Sequence, residues 1–282
     1  MDGGFEMTLL DGKKLKIQIL NELRDEVSGL FPKPKLVVIQ VGNDEASNVY
    51  IKQKCNMCEY IGYDYEHIKL DEFIDLDELL GIIYSLNKDN SVNGIMVQLP
   101  LPNGIDANRV INAIDPLKDV DGLTDTNNGK LFHNEDGLFS CTPLGVMELL
   151  DRYNISVTGK NVCIVGRSSL VGKPMHMMML NKDATVIMCH SKTEDISKWT
   201  KMADVLVVAV GKSNFITSDM VQDGAVVIDV GINRTMDRLC GDVDFDSVKD
   251  KCSYITPVPG GVGPMTVAML AKNVVKAYKL QK

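Results

Sequence analysis

The sequence predicts an α/β protein of two domains, in which mainly parallel sheets are covered by helices. Short apolar runs rich in β-branched residues, typical of buried parallel strands, alternate with segments of helical period. The alternation starts afresh after residue 142, where a strand leads into a glycine turn and then a helix, as in doubly wound nucleotide-binding domains. A length of 282 residues suits two domains, each with its own core.

Composition and charge exclude several classes of protein. Apolar residues make up 45% of the chain and charged residues 24%, which is typical of a folded globular protein. The net charge of −8 argues against a nucleic-acid partner, although a local basic cluster can still bind a small anion. No apolar run approaches the roughly 20 residues of a membrane span. The acidic, Gly-rich stretch 1–6, interpreted as an extension or a cloning remnant, does not resemble a signal peptide. We therefore expect a cytoplasmic protein with neither a nucleic-acid nor a membrane partner.

The seven cysteines are expected to be reduced thiols, because their number is odd and they are scattered among strand and helix signals. Cys55 and Cys58 have the spacing of a redox or zinc pair. A zinc site would need two more ligands, and no second pair of this spacing exists. A thioredoxin-like pair would lie at the start of a helix, whereas this one falls inside a predicted helix. We therefore favour packed or idle thiols and expect no metal site.

The first part of the chain predicts alternating helices and strands. Apolar residues recur at every fourth position from 15 to 27, which is typical of an amphipathic helix. Gly62 follows the second helical pattern and is a suitable helix C-cap. The predicted elements, in chain order, are a helix at 15–27, a strand at 36–41, a helix at about 47–60, a strand at 63–70, a helix at 76–86 and a short buried strand at 94–99.

Two stretches in the middle of the chain lack a regular period. The acidic segment 115–122 is rich in turn-forming residues, and a solvated loop is its simplest interpretation. Residues 127–140 are irregular. Thr142 and Pro143 then begin a helix that runs to about Tyr153, since proline is favoured at the first helical position.

The second part of the chain predicts four strands joined by helical connections, followed by a last helix at about 266–280. The four strands are 161–165, 184–189, 203–211 and 225–231. We place the domain limits at 1–142 and 143–265, with residues 266–282 completing the first domain.

Tyr50 and Lys54 form the first candidate site. They follow a predicted strand and a segment in which Asp44 or Ser47 can cap a helix. Residues four apart project from the same helix face, so an aromatic ring would lie beside an ammonium group. Such a pair can bind a flat ligand and transfer a proton; an ordinary helix with an exposed lysine is the alternative. Gln98 ends another predicted strand, and ligands of parallel sheets bind at such ends.

A glycine turn after residue 165 forms the second candidate site. Dinucleotide-binding turns have three glycines, whereas this chain has Gly166, then Ser168 in the second place, and Gly172 one position late. The turn nevertheless follows a buried strand and precedes a helix, which is the context that the motif requires.

The residues after the next strand favour NADP over NAD. An NAD site usually has a carboxylate there that binds the ribose hydroxyls, but no carboxylate occurs before Glu194. Ser191 can instead donate a hydrogen bond to a 2′-phosphate, and Arg167 can form charge-assisted bonds with it. An exposed Arg167 without a ligand is the alternative.

Four blocks of sequence resemble the signatures of the bifunctional methylenetetrahydrofolate dehydrogenase/methenyltetrahydrofolate cyclohydrolase family. They occur in the family's order, and the resemblance extends from about Leu9 to the last helix. It implies a Rossmann-like NADP-binding domain, a last helix that returns to the first domain, a folate site in the cleft between domains, and a homodimer. The blocks are Tyr50-x-x-x-Lys54, Val-Gln-Leu-Pro-Leu-Pro at 97–102, Lys-Asp-Val-Asp-Gly at 118–122, and Pro-Val-Pro-Gly-Gly-Val-Gly-Pro-Met-Thr at 257–266.

The resemblance also implies roles for individual residues. Lys54 is the catalytic group, Tyr50 stacks on the folate, Gln98 hydrogen-bonds near Lys54, and Asp121 accepts hydrogen bonds from the pterin. The other positions that it assigns to the folate are Val97, Leu99, Pro259, Gly260, Gly261, Val262 and Gly263. The positions that it assigns to NADP are Gly166, Arg167, Ser168, Ser191 and Ile232.

The reaction implied by the resemblance has two steps. NADP oxidises 5,10-methylenetetrahydrofolate to the methenyl compound, which water converts to 10-formyltetrahydrofolate. Lys54 can act in the second step only if it is partly neutral or relays a proton through Gln98 or water. Three alternatives are a dehydrogenase without hydrolase activity, a lyase in which Lys54 forms a Schiff base, and an NADP sensor without activity.

Overall fold

The computed structural model describes residues 7–234 and 239–282, so the interpretation of residues 1–6 lies outside the described residues. The chain divides into two compact units. The three-stranded unit consists of Ile17–Cys141 and Val267–Lys282. The six-stranded unit consists of the described residues up to Lys16 together with Thr142–Thr266.

The predicted helices and strands occur in the predicted order, together with short elements that were not predicted. The strands are β1 (Thr8–Leu9), β2 (Lys35–Val41), β3 (Asp64–Leu70), β4 (Gly94–Val97), β5 (Asn161–Val165), β6 (Thr185–Cys189), β7 (Val205–Val208), β8 (Val226–Asp229), β9 (Asn233–Arg234), β10 (Leu239–Cys240) and β11 (Tyr254–Ile255). The helices are α1 (Gly12–Ser28), α2 (Glu45–Ile61), α3 (Leu76–Lys88), α4 (Ala107–Asn112), α5 (Asp125–Phe132), α6 (Cys141–Arg152), α7 (Gly172–Leu180), α8 (Ile196–Thr200), α9 (Phe245–Val248) and α10 (Val262–Leu280), with 3-10 turns at Ser218–Met220 and Lys249–Lys251.

The three-stranded unit has a parallel sheet in the order β3-β2-β4. The central strand β2 is buried from its second residue onward, which explains its continuous apolar run. The predicted strand and helix bounds in this unit are confirmed to within a few residues, and Gly62 is confirmed as the C-cap of α2, with φ of 88°.

The last helix contributes its C-terminal part to the three-stranded unit, as the resemblance implies. The hydroxyl of Tyr63 donates to the carbonyl of Ala271 over 2.8 Å, and the hydroxyl of Tyr278 donates to the carbonyl of Pro32 over 2.9 Å. These bonds join α10 to segments more than 200 residues away in the chain.

The six-stranded unit has a fully parallel sheet in the order β1-β11-β8-β7-β5-β6. Four of its strands are the predicted ones. The other two, β1 and β11, were not predicted, because two residues are too few to show a hydrophobic period. Buried side chains of β5, β7 and β8 form the core of this unit.

Three predictions about loops and ends need correction. Segment 115–122 is not a solvated loop, because Lys118 and Asp119 are buried and hydrogen-bonded. Residues 127–140 are not wholly irregular, since they include most of α5, which the Thr124 hydroxyl caps by accepting from the N–H of Asn127. The last helix begins at Val262 instead of 266, because proline is tolerated within its first turn.

Among the described residues, none of the helices combines the length and the apolar character needed to cross a membrane. All seven cysteines are free thiols. Burial raises the pKa of Cys58 to about 12, which opposes the thiolate that a redox or zinc site needs. In the described part of the chain, no three His, Cys, Asp or Glu side chains are grouped so as to hold a metal ion.

Candidate active site

The start of α2 places Tyr50 and Lys54. Asp44 is the N-cap, and its carboxylate accepts from both the N–H and the hydroxyl of Ser47 over 2.8 Å. Tyr50 and Lys54 follow on the first turns of the helix. Tyr50 is 47% exposed, so that it is available to a ligand, whereas Lys54 is only 8% exposed. The interpretation of Lys54 as an ordinary exposed lysine is therefore wrong.

The ammonium group of Lys54 donates to Oε1 of Gln98 over 2.6 Å. Gln98 directly follows β4, and its backbone N–H donates to the carbonyl of Ile39 on β2 over 2.8 Å. The other side of its amide donates to the carbonyl of Leu99 over 2.6 Å, which turns Oε1 toward the lysine. The carboxyl ends of β2 and β4 thus bring the two predicted residues together.

Burial and charge act in opposite directions on Lys54. Desolvation lowers its pKa, while the negative charge of Asp121 opposes that effect. Desolvation likewise raises the pKa of Asp121, with Lys54 opposing and Asp119 adding to the increase. The structure therefore places the predicted residues Lys54, Gln98 and Asp121 in one electrostatically coupled group.

Cys141 is a site residue that the sequence analysis missed. It is buried, and its thiol donates to the carbonyl of Val120, the residue directly before Asp121, over 3.4 Å. Burial raises the pKa of this thiol well above its usual range, so that it stays protonated beside the carboxylate. The one signal available in the sequence was its place directly before the helix-starting Thr142.

The remaining positions that the resemblance assigns to the folate lie in two segments. Val97 is 4% exposed and packs in the core next to β2, so its contact with the folate stays a prediction, whereas Leu99 is partly exposed before the cis peptide bond to Pro100. Pro259, Gly260, Gly261, Val262 and Gly263 belong to the six-stranded unit.

The two glycines between Pro259 and Val262 are required by the backbone. Gly260 has φ of +114°, which favours glycine. A Cβ on Gly261 would lie 2.7 Å from the carbonyl oxygen of Pro257. Packing within the unit therefore explains these glycines, and contact with the folate stays a prediction.

The glycine turn of the six-stranded unit fits a dinucleotide. Gly166 has φ of +130°, and a Cβ there would lie 2.2 Å from the carbonyl oxygen of Ala209. A Cβ on Gly172 would lie 2.3 Å from the carbonyl oxygen of Gly166, so the second glycine allows the turn to approach α7. Ser168 is exposed, and its hydroxyl accepts from the N–H groups of Val171 and Gly172.

Arg167 and Ser191 follow the carboxyl ends of two adjacent strands, β5 and β6. Val165 on β5 is paired with Cys189 on β6, and each candidate residue lies two positions beyond its strand end. Both side chains are exposed at the carboxyl edge of the sheet. An exposed guanidinium group and an exposed hydroxyl beyond the ends of two paired strands suit a phosphorylated ribose, so the residues present fit NADP.

Ile232, the remaining candidate, is 52% exposed between two anchored neighbours. The N–H of Gly231 donates to Asp229 over 2.9 Å, and the side-chain amide of Asn233 donates to Asp242 over 2.8 Å. The sequence analysis did not single out either carboxylate. Both are buried and hold the loop of Ile232 at the carboxyl edge of the sheet.

Comparison with known proteins gives a consistent result. The model of the tetrahydrofolate dehydrogenase/cyclohydrolase catalytic domain matches residues 10–121, and that of the NAD(P)-binding domain of the same family matches residues 140–282. The bifunctional protein FolD of Agathobacter rectalis is 53% identical over 275 residues, which cover 96% of this chain and 99% of the relative.

Solved structures agree. The bifunctional methylenetetrahydrofolate dehydrogenase/cyclohydrolase FolD of Campylobacter jejuni is 48% identical, with a TM-score of 0.95 over 98% of this chain and 100% of its own. The methylenetetrahydrofolate dehydrogenase-cyclohydrolase of Trypanosoma brucei, solved with NADP and an inhibitor, is 34% identical, with a TM-score of 0.92 over 97% of this chain and 98% of its own. The resemblance and the predicted fold are confirmed, and the chain belongs to the tetrahydrofolate dehydrogenase/cyclohydrolase family.

Proposed function

We propose that Lys54, with Gln98, Asp121 and Tyr50, forms the catalytic centre for both reactions of this family member. The enzyme is an NADP-dependent methylenetetrahydrofolate dehydrogenase and methenyltetrahydrofolate cyclohydrolase. The observation that carries the proposal is the 2.6 Å hydrogen bond from the buried Lys54 to Gln98. A lysine that has lost most of its water can exchange a proton near neutral pH.

Asp121 and Tyr50 orient the folate in this proposal. The carboxylate of Asp121 accepts hydrogen bonds from the amino and ring N–H groups of the pterin, which are donors of matching chemistry. The exposed ring of Tyr50 stacks on the flat part of the ligand. The proposal keeps the folate contacts that the resemblance assigns to Val97, Leu99 and residues 259–263.

In the dehydrogenase step, the chain positions the reacting carbon and binds the cofactor. NADP, when bound, accepts the hydride that leaves the methylene carbon of the folate. Arg167 and Ser191 would bind its 2′-phosphate, the turn at Gly166 and Ser168 would receive the pyrophosphate, and Ile232 would contact the cofactor. The folate nitrogens stabilise the resulting methenyl cation, so orientation is the main contribution of the protein.

In the cyclohydrolase step, water forms a bond to the methenyl carbon and gives up a proton to neutral Lys54. The added hydroxyl then loses its proton to water as it becomes the formyl carbonyl. The bond between that carbon and N5 of the folate breaks, and protonated Lys54 returns its proton to N5, which leaves the formyl group on N10. The cationic substrate further lowers the pKa of Lys54, because like charges repel. Gln98 accepts from the lysine and fixes its position.

The test follows NADPH and methenyl-folate absorbance together in a purified enzyme. Lys54→Met should reduce hydrolysis of methenyltetrahydrofolate by at least about 1,000-fold, while binding of NADP persists. Lys52→Met, an exposed lysine on the same helix, is the matched control and should keep both activities. Unchanged hydrolysis by Lys54→Met would remove this residue from the mechanism, and a wild-type enzyme that accumulates the methenyl compound would be a dehydrogenase alone.

We also propose that the enzyme works in the cytoplasm as a homodimer. The seven free thiols suit a reducing compartment, and the dimer rests on the family resemblance. The functional domains proposed are residues 1–142 with 266–282 for the folate and 143–265 for NADP. Light scattering on the purified protein would test the dimer, and a monomeric mass would contradict it.

A further inference from the structure

The last helix carries a buried amide that the roles assigned above do not use. Asn273 lies on α10 and is only 3% exposed, with Leu270, Ala271 and Val274 buried around it in the sequence. A buried amide without hydrogen-bond partners is costly, so its partners reveal what it does in the fold.

Each proton of the Asn273 amide has a carbonyl acceptor. Nδ2 donates to the carbonyl of Val120 over 2.8 Å and to the carbonyl of Phe139 over 2.9 Å. It also lies 3.6 Å from the sulfur of Cys141. Val120 directly precedes Asp121, and Phe139 lies two residues before Cys141. One side chain therefore joins the two segments that carry the Asp121 carboxylate and the Cys141 thiol.

The segment that follows Asp121 is also fixed by hydrogen bonds. The buried carboxylate of Asp119 accepts from the N–H groups of Gly122 and Thr124, over 3.0 and 2.8 Å. Gly122 has φ of +70°, and a Cβ there would lie 2.1 Å from the carbonyl carbon of Phe139. The turn that contains Asp121 thus packs closely against the Phe139 segment, to which Asn273 is hydrogen-bonded.

We propose that Asn273 is a positioning residue for Asp121 and so contributes to folate binding. The inference rests on the proposed function, which assigns the pterin to Asp121. Without the amide, the Phe139 carbonyl loses this donor, the Val120 carbonyl keeps only the thiol of Cys141, and the Val120 and Phe139 segments lose their link. The carboxylate then no longer holds the position in which it meets the ligand, while the cofactor site, built from other residues, is unaffected.

A double-mutant cycle tests the inference with tetrahydrofolate as the probe and calorimetry as the measurement. Asn273→Leu keeps a similar shape and removes both donated bonds. It should weaken tetrahydrofolate binding about tenfold or more in the native background, but less than about twofold in an Asp121→Ala background. NADP should bind within about twofold of the native enzyme in every variant. Lys279→Met, an exposed position on the same helix, is the control.

Native-like binding of tetrahydrofolate by Asn273→Leu would overturn the inference, as would an equal loss in both backgrounds, since a purely structural effect does not depend on Asp121. If Asn273→Leu fails to fold, Asn273→Asp takes its place in the same cycle, because its protonated carboxyl can still donate one bond; the same outcomes apply to it. Native-like binding by Asp121→Ala alone would overturn the proposed pterin contact and the positioning role together. Weak binding by Asp121→Ala with native-like binding by Asn273→Leu would overturn only the positioning role.

Discussion

Gln98 turns its amide oxygen to Lys54 because its amide nitrogen is already committed to the carbonyl of Leu99. Both hydrogen bonds measure 2.6 Å. The lysine therefore faces a neutral acceptor that fixes its position without adding a charge. A neutral acceptor leaves desolvation as the main influence on the pKa of Lys54, with Asp121 as the opposing charge.

Gln98→Glu should therefore reduce cyclohydrolase activity. A carboxylate at this distance would stabilise the ammonium form of Lys54, raise its pKa and deplete the neutral lysine that accepts a proton from water. We expect hydrolysis of methenyltetrahydrofolate to fall about 100-fold, measured by loss of its absorbance.

Gln98→Met is the matched control for this variant, because it keeps the length of the side chain without its charge or its hydrogen bonds. It should lose less hydrolase activity than Gln98→Glu. A glutamate variant that is as active as the native enzyme would show that the protonation of Lys54 does not limit the reaction.

The pH dependence of hydrolysis gives a second prediction. Because Lys54 acts in its neutral form, kcat should rise with pH and level off above the lowered pKa of this group. The negative charge of Asp121 opposes this lowering, so Asp121→Asn should lower the pKa of Lys54 further and move the rise in kcat to lower pH. Initial rates at saturating folate, corrected for spontaneous hydrolysis, measure the shift. A rise that stays in place or moves to higher pH contradicts the assignment of the titrating group.

The parts of the site that could be predicted from the sequence are those that lie at strand ends or on one helix face. Lys54 and Gln98 follow apolar runs long enough to be recognised, and parallel strands bring their carboxyl ends together. Gly62 and Asp44 mark the ends of α2 through local hydrogen bonds, which a local reading of the sequence can anticipate.

The residues that were missed depend on contacts between distant parts of the chain. Asn273 and Val120 are 153 positions apart, and nothing in the neighbourhood of either residue signals the bond. Asp119 was interpreted as part of a solvated turn, because the composition of the segment around it does not reveal that other segments bury it. The helix α5 lacks an apolar period and is held by its cap and by tertiary packing.

Asp229 provides a prediction about stability. Burial raises its pKa to about 6, whereas a carboxyl group in the unfolded chain titrates near 3.8. The contribution of the group to stability is thus fully present below pH 3.8 and is lost as pH rises toward 6. Between pH 4.5 and 7 this loss amounts to about 2 kcal/mol in the free energy of unfolding.

Asp229→Asn removes this titration. Urea unfolding of both proteins at pH 4.5 and 7 measures the free energy of unfolding of the variant minus that of the native enzyme. This difference should be about 2 kcal/mol more favourable to the variant at pH 7 than at pH 4.5. The variant itself is expected to be less stable at both pH values, because its amide nitrogen faces backbone N–H donors. A difference between the two proteins that does not change with pH would place the pKa of Asp229 in the ordinary range.

Arg167 decides the choice between the two dinucleotides in our assignment. It is exposed at the end of β5, next to Ser191 at the end of β6, and no carboxylate occurs in the turn before Glu194. Removing the guanidinium group removes a charge-assisted contact that only a 2′-phosphate can make.

Arg167→Ala should therefore weaken NADP binding by about 30-fold or more and NAD binding by less than about threefold. Titration of both cofactors by calorimetry measures the two effects, and Lys182→Ala, an exposed lysine of the same unit, should change neither. Equal weakening of both cofactors would mean that Arg167 contacts a part of the dinucleotide that the two share.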